Sequence, residues 1–165
     1  MMRPAVAAML SVVPPALQRA EVARSRPGLL PYMRDWAGEW LAYCAEVGVT
    51  CPPSLLELAT AMRDVYVHIH DEHGWDLLTP HDARERRSFL ARLATKHPEL
   101  RERAAMLPIF GQDGDLLLIA RDQAIHRFTR DDWSNDRPFA GDFDVLLHFL
   151  ASGARDTEAA ASNVL

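Results

Sequence analysis

Residues Leu107 to Leu150 read LPIFGQDGDLLLIARDQAIHRFTRDDWSNDRPFAGDFDVLLHFL, and this stretch decides the fold. Gly111 and Gly114 bracket Gln112-Asp113, a combination that tolerates positive φ and marks a turn. The apolar run from Asp115 to Ala120 follows as a strand. Arg121-Asp122-Gln123 makes a second turn, and Ala124 to Arg130 returns as a second strand with Ile125 and Phe128 among polar neighbours. An acidic loop then leads to a short amphipathic helix from Phe143 to Leu150.

Upstream of this hairpin the chain reads as helical. Pro31 to Val47 places Tyr32, Trp36, Trp40, Leu41, Cys44 and Val47 on one broad face, and Gly48 stops the helix. Cys51-Pro52-Pro53-Ser54 is a turn and start signal, with Ser54 as N-cap and Glu57 three residues on, a capping-box pair. The helix that follows carries Leu55, Leu58, Ala59, Met62, Val65, Tyr66 and Ile69 before Gly74. Thr79 caps the next helix with Pro80 at its first position and Asp82 in its first turn. Phe89, Leu90 and Leu93 form its stripe, His97-Pro98 closes it, and Glu99 to Ala105 makes a short further helix. Helices first, then a hairpin-containing sheet and a closing helix, predict an α+β fold: N-terminal helices on a small, mainly antiparallel sheet.

Gly111-Gln112-Asp113-Gly114-Asp115, Leu116 to Ile119, Ile125 to Phe128 and Phe143 to Leu150 together resemble the C-terminal half of the SMI1/KNR4, or SUKH, superfamily, mainly over residues 106–151. There a Gly/Asp-rich turn leads into an apolar strand, a hairpin and a closing helix with a Phe-x-x-hydrophobic-Leu pattern. A Gly-Trp step before the first sheet region is matched loosely by Gly74-Trp75-Asp76-Leu77. The helical stretch from Thr79 to Ala105 stands where many relatives begin their sheet, and the N-terminal third carries no family motif. The resemblance implies a binding protein and not a catalyst. Many bacterial members are immunity proteins that occlude a cognate toxin domain, often a basic nuclease or deaminase; others are regulatory interaction modules. The shared Gly and Asp residues shape the turn and carry no catalytic role.

At 165 residues the chain fits one domain able to bury its own core. Residues 1–30 are expected as a loosely ordered extension, 31–152 as a single SUKH-like domain and 153–165 as a flexible tail. Met1-Met2-Arg3 and the short apolar run after it resemble a signal peptide, but Pro14-Pro15 and the charged residues to Arg26 follow without a small-x-small cleavage site. No apolar segment approaches the ~20 residues that span a bilayer, so no membrane partner is expected. Lys96 is the only lysine, an arginine bias typical of a GC-rich bacterial genome. The net charge of −5 argues against direct nucleic-acid binding and suits a basic protein partner. Cys44 and Cys51, the two cysteines, form neither a Cys-x-x-Cys motif nor a disulfide framework, and a reducing, cytoplasmic location is the expectation.

His68-Ile69-His70-Asp71-Glu72-His73, with His81-Asp82 beyond, carries residue types that zinc or iron sites use. Neither His-Glu-x-x-His nor its inverse is present, because Ile69 stands where the inverse needs histidine. Histidines at a polar helix end, beside the C-terminal dipole, explain the segment more simply. A metal-dependent hydrolase using His70 and His73 is the alternative function, and a regulatory scaffold of the same fold is another. No nucleophile elbow, phosphate loop or dinucleotide fingerprint occurs, and no metal or cofactor is expected.

Asp113, Asp115, Asp122, Asp131, Asp132, Asp136, Asp142 and Asp144 crowd the C-terminal third. Turn and cap chemistry explains Asp113, Asp122, Asp131 and Asp142. The functional reading is an acidic surface with an aromatic anchor, in which Asp113, Asp115, Asp131, Asp132 and Trp133 meet a basic partner. Trp133 packed back on the sheet is the structural alternative.

Overall fold

A computed structural model describes residues 1–62, 75–131, 133 and 138–152. These residues form α1 (Pro4–Val12), α2 (Arg19–Ser25), α3 (Trp36–Val47), α4 (Pro53–Ala61), β1 (Asp76–Leu77), α5 (Pro80–Lys96) and α6 (Arg101–Ala104). The rest is β2 (Leu107–Gln112), β3 (Asp115–Ile119), β4 (Ile125–Phe128), β5 (Pro138–Ala140) and α7 (Phe143–Ala151). The fold is α+β. Its strands lie in the order β1-β2-β3-β4-β5, each antiparallel to its neighbours.

The turns follow from residue chemistry. Asp113 (φ 48°) and Gly114 (φ 93°) both take the left-handed region, as a two-residue hairpin with right-twisting strands requires. At the other end of β3, the Ala124 N–H donates to the Asp122 carboxylate at 3.1 Å and Gln123 takes φ 73°. Pro108 has no N–H for the ladder, and β2 shifts register between Pro108 and Phe110. The carbonyl of Ile109, inside that irregularity, accepts from the Leu78 N–H at 2.9 Å.

Both faces of the sheet are covered, which is why Leu116 to Ile119 are all buried. Phe110, Leu117 and Arg127 oppose one another on one face, while Leu116 and Phe128 pair on the other. Helix α7 covers the first: Phe143 stacks on Phe110 with centroids 6.4 Å apart, and Phe149 meets Phe139 edge-on at 5.4 Å. On the second, Trp133 lies between Phe128 (6.5 Å) and His97 at the end of α5 (4.5 Å).

The N-terminal residues depart from the loosely ordered extension expected of them. Pro4 starts α1 at a position where the missing N–H costs nothing, and Ala5, Val6, Met9 and Val13 are buried in the core. Their spacing makes one apolar stripe, and it packs along α7. Burial of a side chain such as Met9 contributes roughly 1.5–3 kcal/mol. Polar ties fix the arrangement. The Arg3 N–H donates to Glu57 of α4 at 2.9 Å, and the buried Ser54 hydroxyl donates to Asp144 of α7.

Those two contacts replace the expected capping box: α4 begins at Pro53 with Pro52 as its cap, and Ser54 and Glu57 bond to other helices instead. Helix α4 ends at Ala61, and Met62 is extended and bridged to Gln18. Helix α3 starts at Trp36, five residues later than expected, because Asp35 supplies the cap and accepts the Gly38 N–H at 2.9 Å. Tyr32 is consequently 87% exposed, Leu41 is also exposed, and Tyr43 takes a place in the core. Helix α5 begins as its Thr79 cap predicts, with the hydroxyl accepting the Asp82 N–H at 3.0 Å, but Phe89 lies on its outer side. Strands β2 and β5 were not expected from the sequence, whereas β3, β4 and α7 were.

Candidate functional site

The turn between β2 and β3 and the exit of β4 lie at the same end of the sheet, because β3 and β4 are antiparallel with Leu116 opposite Phe128. A Cβ placed on Gly114 would stand 3.4 Å from Cδ of Arg130, so the arginine stem lies along the turn. Asp113, in the turn itself, is exposed. Asp131, with its side chain 87% exposed, stands 3.8 Å from the Arg130 guanidinium. Two exposed carboxylates therefore stand at the same end of the sheet, Asp131 with a cation beside it.

Asp115 is differently placed. One of its carboxylate oxygens accepts from Nη2 of Arg127 at 2.8 Å, and the other accepts the Arg130 N–H at 3.0 Å. Both partners of the ion pair are mostly shielded, and the Arg127 guanidinium also lies 5.4 Å from the Trp75 ring centre. Asp115 thus holds the backbone that presents Asp131. Its charge is already matched, so it adds little to a long-range field.

Trp133 is half-buried against the core, between Phe128 and His97. Its carbonyl accepts from Nη1 of Arg103 at 2.8 Å, and its buried indole N–H has no hydrogen-bond partner among the described residues. It packs back on the sheet; the free aromatic anchor expected of the acidic loop is not formed. Asp132 lies outside the described residues, as do Asp136, His68, His70 and His73. The structure thus brings Asp113, Asp115 and Asp131 to one end and gives Trp133 a packing role.

Arg103 is the residue that sequence reasoning missed. It sits in a charged run, Arg101-Glu102-Arg103, yet only 6% of it is exposed. The signal was its spacing: three residues after the buried Leu100, it falls on the same side of a short helical segment. With Glu99, Glu102, Met106 and His126 it lines a recess of about 50 Å³. That volume suits one or two waters, not an organic substrate. Among the described residues no cluster of His, Cys, Asp and Glu could hold a metal ion, and no helix is long and apolar enough to cross a membrane.

Compared with known proteins, the chain matches no family model, no curated protein and no solved structure.

Proposed function

We propose that the chain is a non-catalytic binding domain that neutralises a cognate toxin, as an immunity protein does, by presenting the acidic sheet end to a basic surface of that toxin. The observation that carries this reading is the placement of Asp113 and Asp131. Both are exposed, and both stand on backbone fixed from within, Asp113 by the tight hairpin turn and Asp131 by the Asp115 contacts beside it. A carboxylate on a pre-set backbone loses little conformational entropy on binding.

The charges act mainly on encounter. Exposed pairs contribute only about 0–1 kcal/mol each at equilibrium, but complementary potentials raise association rates and fix orientation. The attraction fades beyond ~10 Å at 0.1 M salt, so the complex is salt-sensitive. An acidic patch of this kind competes with phosphate for the basic cleft of a nuclease-type toxin.

Affinity capture of the tagged chain from its own cells, at low and moderate salt with mass spectrometry of the eluate, tests the reading. The expected result is one dominant basic toxin-domain protein in near-equimolar amount, lost as salt rises. A chain that elutes monodisperse and alone at both salt concentrations contradicts it.

A further inference from the structure

Helix α5 turns a basic face to solvent. Arg86, Phe89, Arg92 and Lys96 are all exposed and fall within about 120° of the helix, a sector that excludes the buried Ala83, Leu90 and Ala94. They span ~15 Å along its axis. Other charges of this helix are matched locally: Arg84 meets Glu46 at 2.7 Å, and His81 stands 3.3 Å from Glu85. Among the described residues, the side chains of Arg86, Arg92 and Lys96 have no hydrogen-bond or ion-pair partner. Phe89, 41% exposed, is an apolar centre among these cations.

This face runs into the acidic sheet end. His97, the residue after Lys96, meets the Trp133 ring with centroids 4.5 Å apart, and Asp131 lies two residues before Trp133. The last turn of α5 therefore abuts the loop that carries Asp131, while Arg86 lies at the far end of the basic stripe. A surface with cations at one side and carboxylates at the other is complementary to a second copy of itself turned by half a rotation. In that arrangement two α5 helices cross antiparallel near Phe89, and each acidic end reaches the Arg86 end of the other helix.

We propose that this surface is the interface of a two-fold homodimer, in which Asp131 of each copy meets Arg86 and Arg92 of the other and the two Phe89 rings lie near the axis. The same patch serves both copies, so the contact closes after two and grows no further. Phenylalanine and arginine are residue types enriched at interface centres. The net charge of −5 repels any anionic occupant at long range, and a nucleic acid carries a charge at every phosphate. A second copy brings only a few carboxylates to the contact, with cations of its own beside them. Salt at ~0.1 M, with a screening length of ~10 Å, quenches the repulsion between the two net charges and spares contacts within the interface. At ~1 M the length is ~3 Å, and those contacts weaken too.

The dimer covers a carboxylate that the toxin-binding reading exposes, so a toxin would displace the second copy. The purified chain alone decides the dimer. Its failure therefore leaves the toxin reading standing, and failure of the toxin reading leaves the dimer.

The test is sedimentation velocity of the purified full chain over a range of concentrations, at ~0.1 M and ~1 M salt. The expected result at the lower salt is a mass that rises with concentration to that of two chains and stops there. At the higher salt it falls back towards one chain. Arg86→Glu/Arg92→Glu and Asp131→Lys chains should each stay monomeric, yet form a heterodimer when mixed, because one then brings two acidic patches and the other two basic ones. Phe89→Ala should weaken the association. A wild-type chain that is monomeric at every concentration overturns the proposal, as does a dimer that survives either reversal or a mixture that does not associate. Growth beyond two copies overturns the two-fold arrangement. Oligothymidylate or polyglutamate bound to a wild-type monomer would give α5 to another anion instead. Should the α5 variant lose its circular dichroism melt, the wild-type and Asp131→Lys arms decide the matter alone.

Discussion

Asp115 and Arg127 meet diagonally across β3 and β4 at 2.8 Å, and the pair is largely shielded from water. Removing the carboxylate would strand a guanidinium whose Nε already has no hydrogen-bond partner among the described residues, and would free the Arg130 N–H. Asp115→Ala should therefore destabilise by about 1.5–3 kcal/mol, the range for hydrogen bonds to charged groups. Urea unfolding measures it. A loss under about 0.5 kcal/mol, the level of a surface substitution, would mean that Asp115 is not structural.

Trp133→Ala separates packing from recognition. Full burial of a tryptophan gives a loss of ~3–5 kcal/mol on truncation, and half-burial between Phe128 and His97 points to the lower end or slightly below. Denaturant midpoints of the variant and the wild type should therefore differ clearly. An unchanged midpoint with lost partner binding would restore Trp133 as a contact residue.

Met9 tests the N-terminal helix. Met9 is fully buried and α1 packs on α7, so Met9→Ala should cost about 2–5 kcal/mol. A thermal melt unchanged from wild type would show that α1 is dispensable to the core.

Tyr43 gives a pH signature. Burial pushes its phenol pKa above the ordinary value of 10, partly offset by Arg87 and Arg84. Above pH 10 the unfolded tyrosine has released a proton that the folded one keeps, so stability falls as pH rises towards the folded value. Below that window the contribution is constant. The Tyr43 hydroxyl has no hydrogen-bond partner among the described residues, so Tyr43→Phe should leave neutral-pH stability unchanged or slightly higher and flatten the alkaline slope. Unfolding curves at neutral and alkaline pH check both, and an equal alkaline slope in the variant would refute the assignment.

The hairpin was legible because its turns use residues with few other uses: Asp113-Gly114 takes the positive φ that its composition announces. Caps read equally well at Thr79 and Asp142, whose side chains accept N–H groups three residues on. Strand β2 escaped notice because Leu107-Pro108-Ile109-Phe110 is buried on both faces and so lacks alternation. Helix α1 was hidden because its polar edge is thin and its partner, α7, lies at the other end of the chain. The acidic sheet end was half legible. Composition named Asp113, Asp115 and Asp131, but only the pairing of β3 with β4 separates the two exposed carboxylates from the one that Arg127 holds.

The most direct test of the toxin-binding account is side-by-side capture with the wild-type chain and an Asp113→Lys/Asp131→Lys chain, from the same cells at two salt concentrations. Asp131→Lys lies on an exposed position and should leave the melt unchanged, whereas Asp113→Lys, at a φ of 48°, should lower it slightly, so the melt of the reversed chain is measured beside the capture. The account predicts that wild type retains a near-equimolar basic partner at low salt, that this partner is lost as salt rises, and that the reversed chain retains little of it. Equal retention by both chains, or a partner held by wild type without regard to salt, would contradict it.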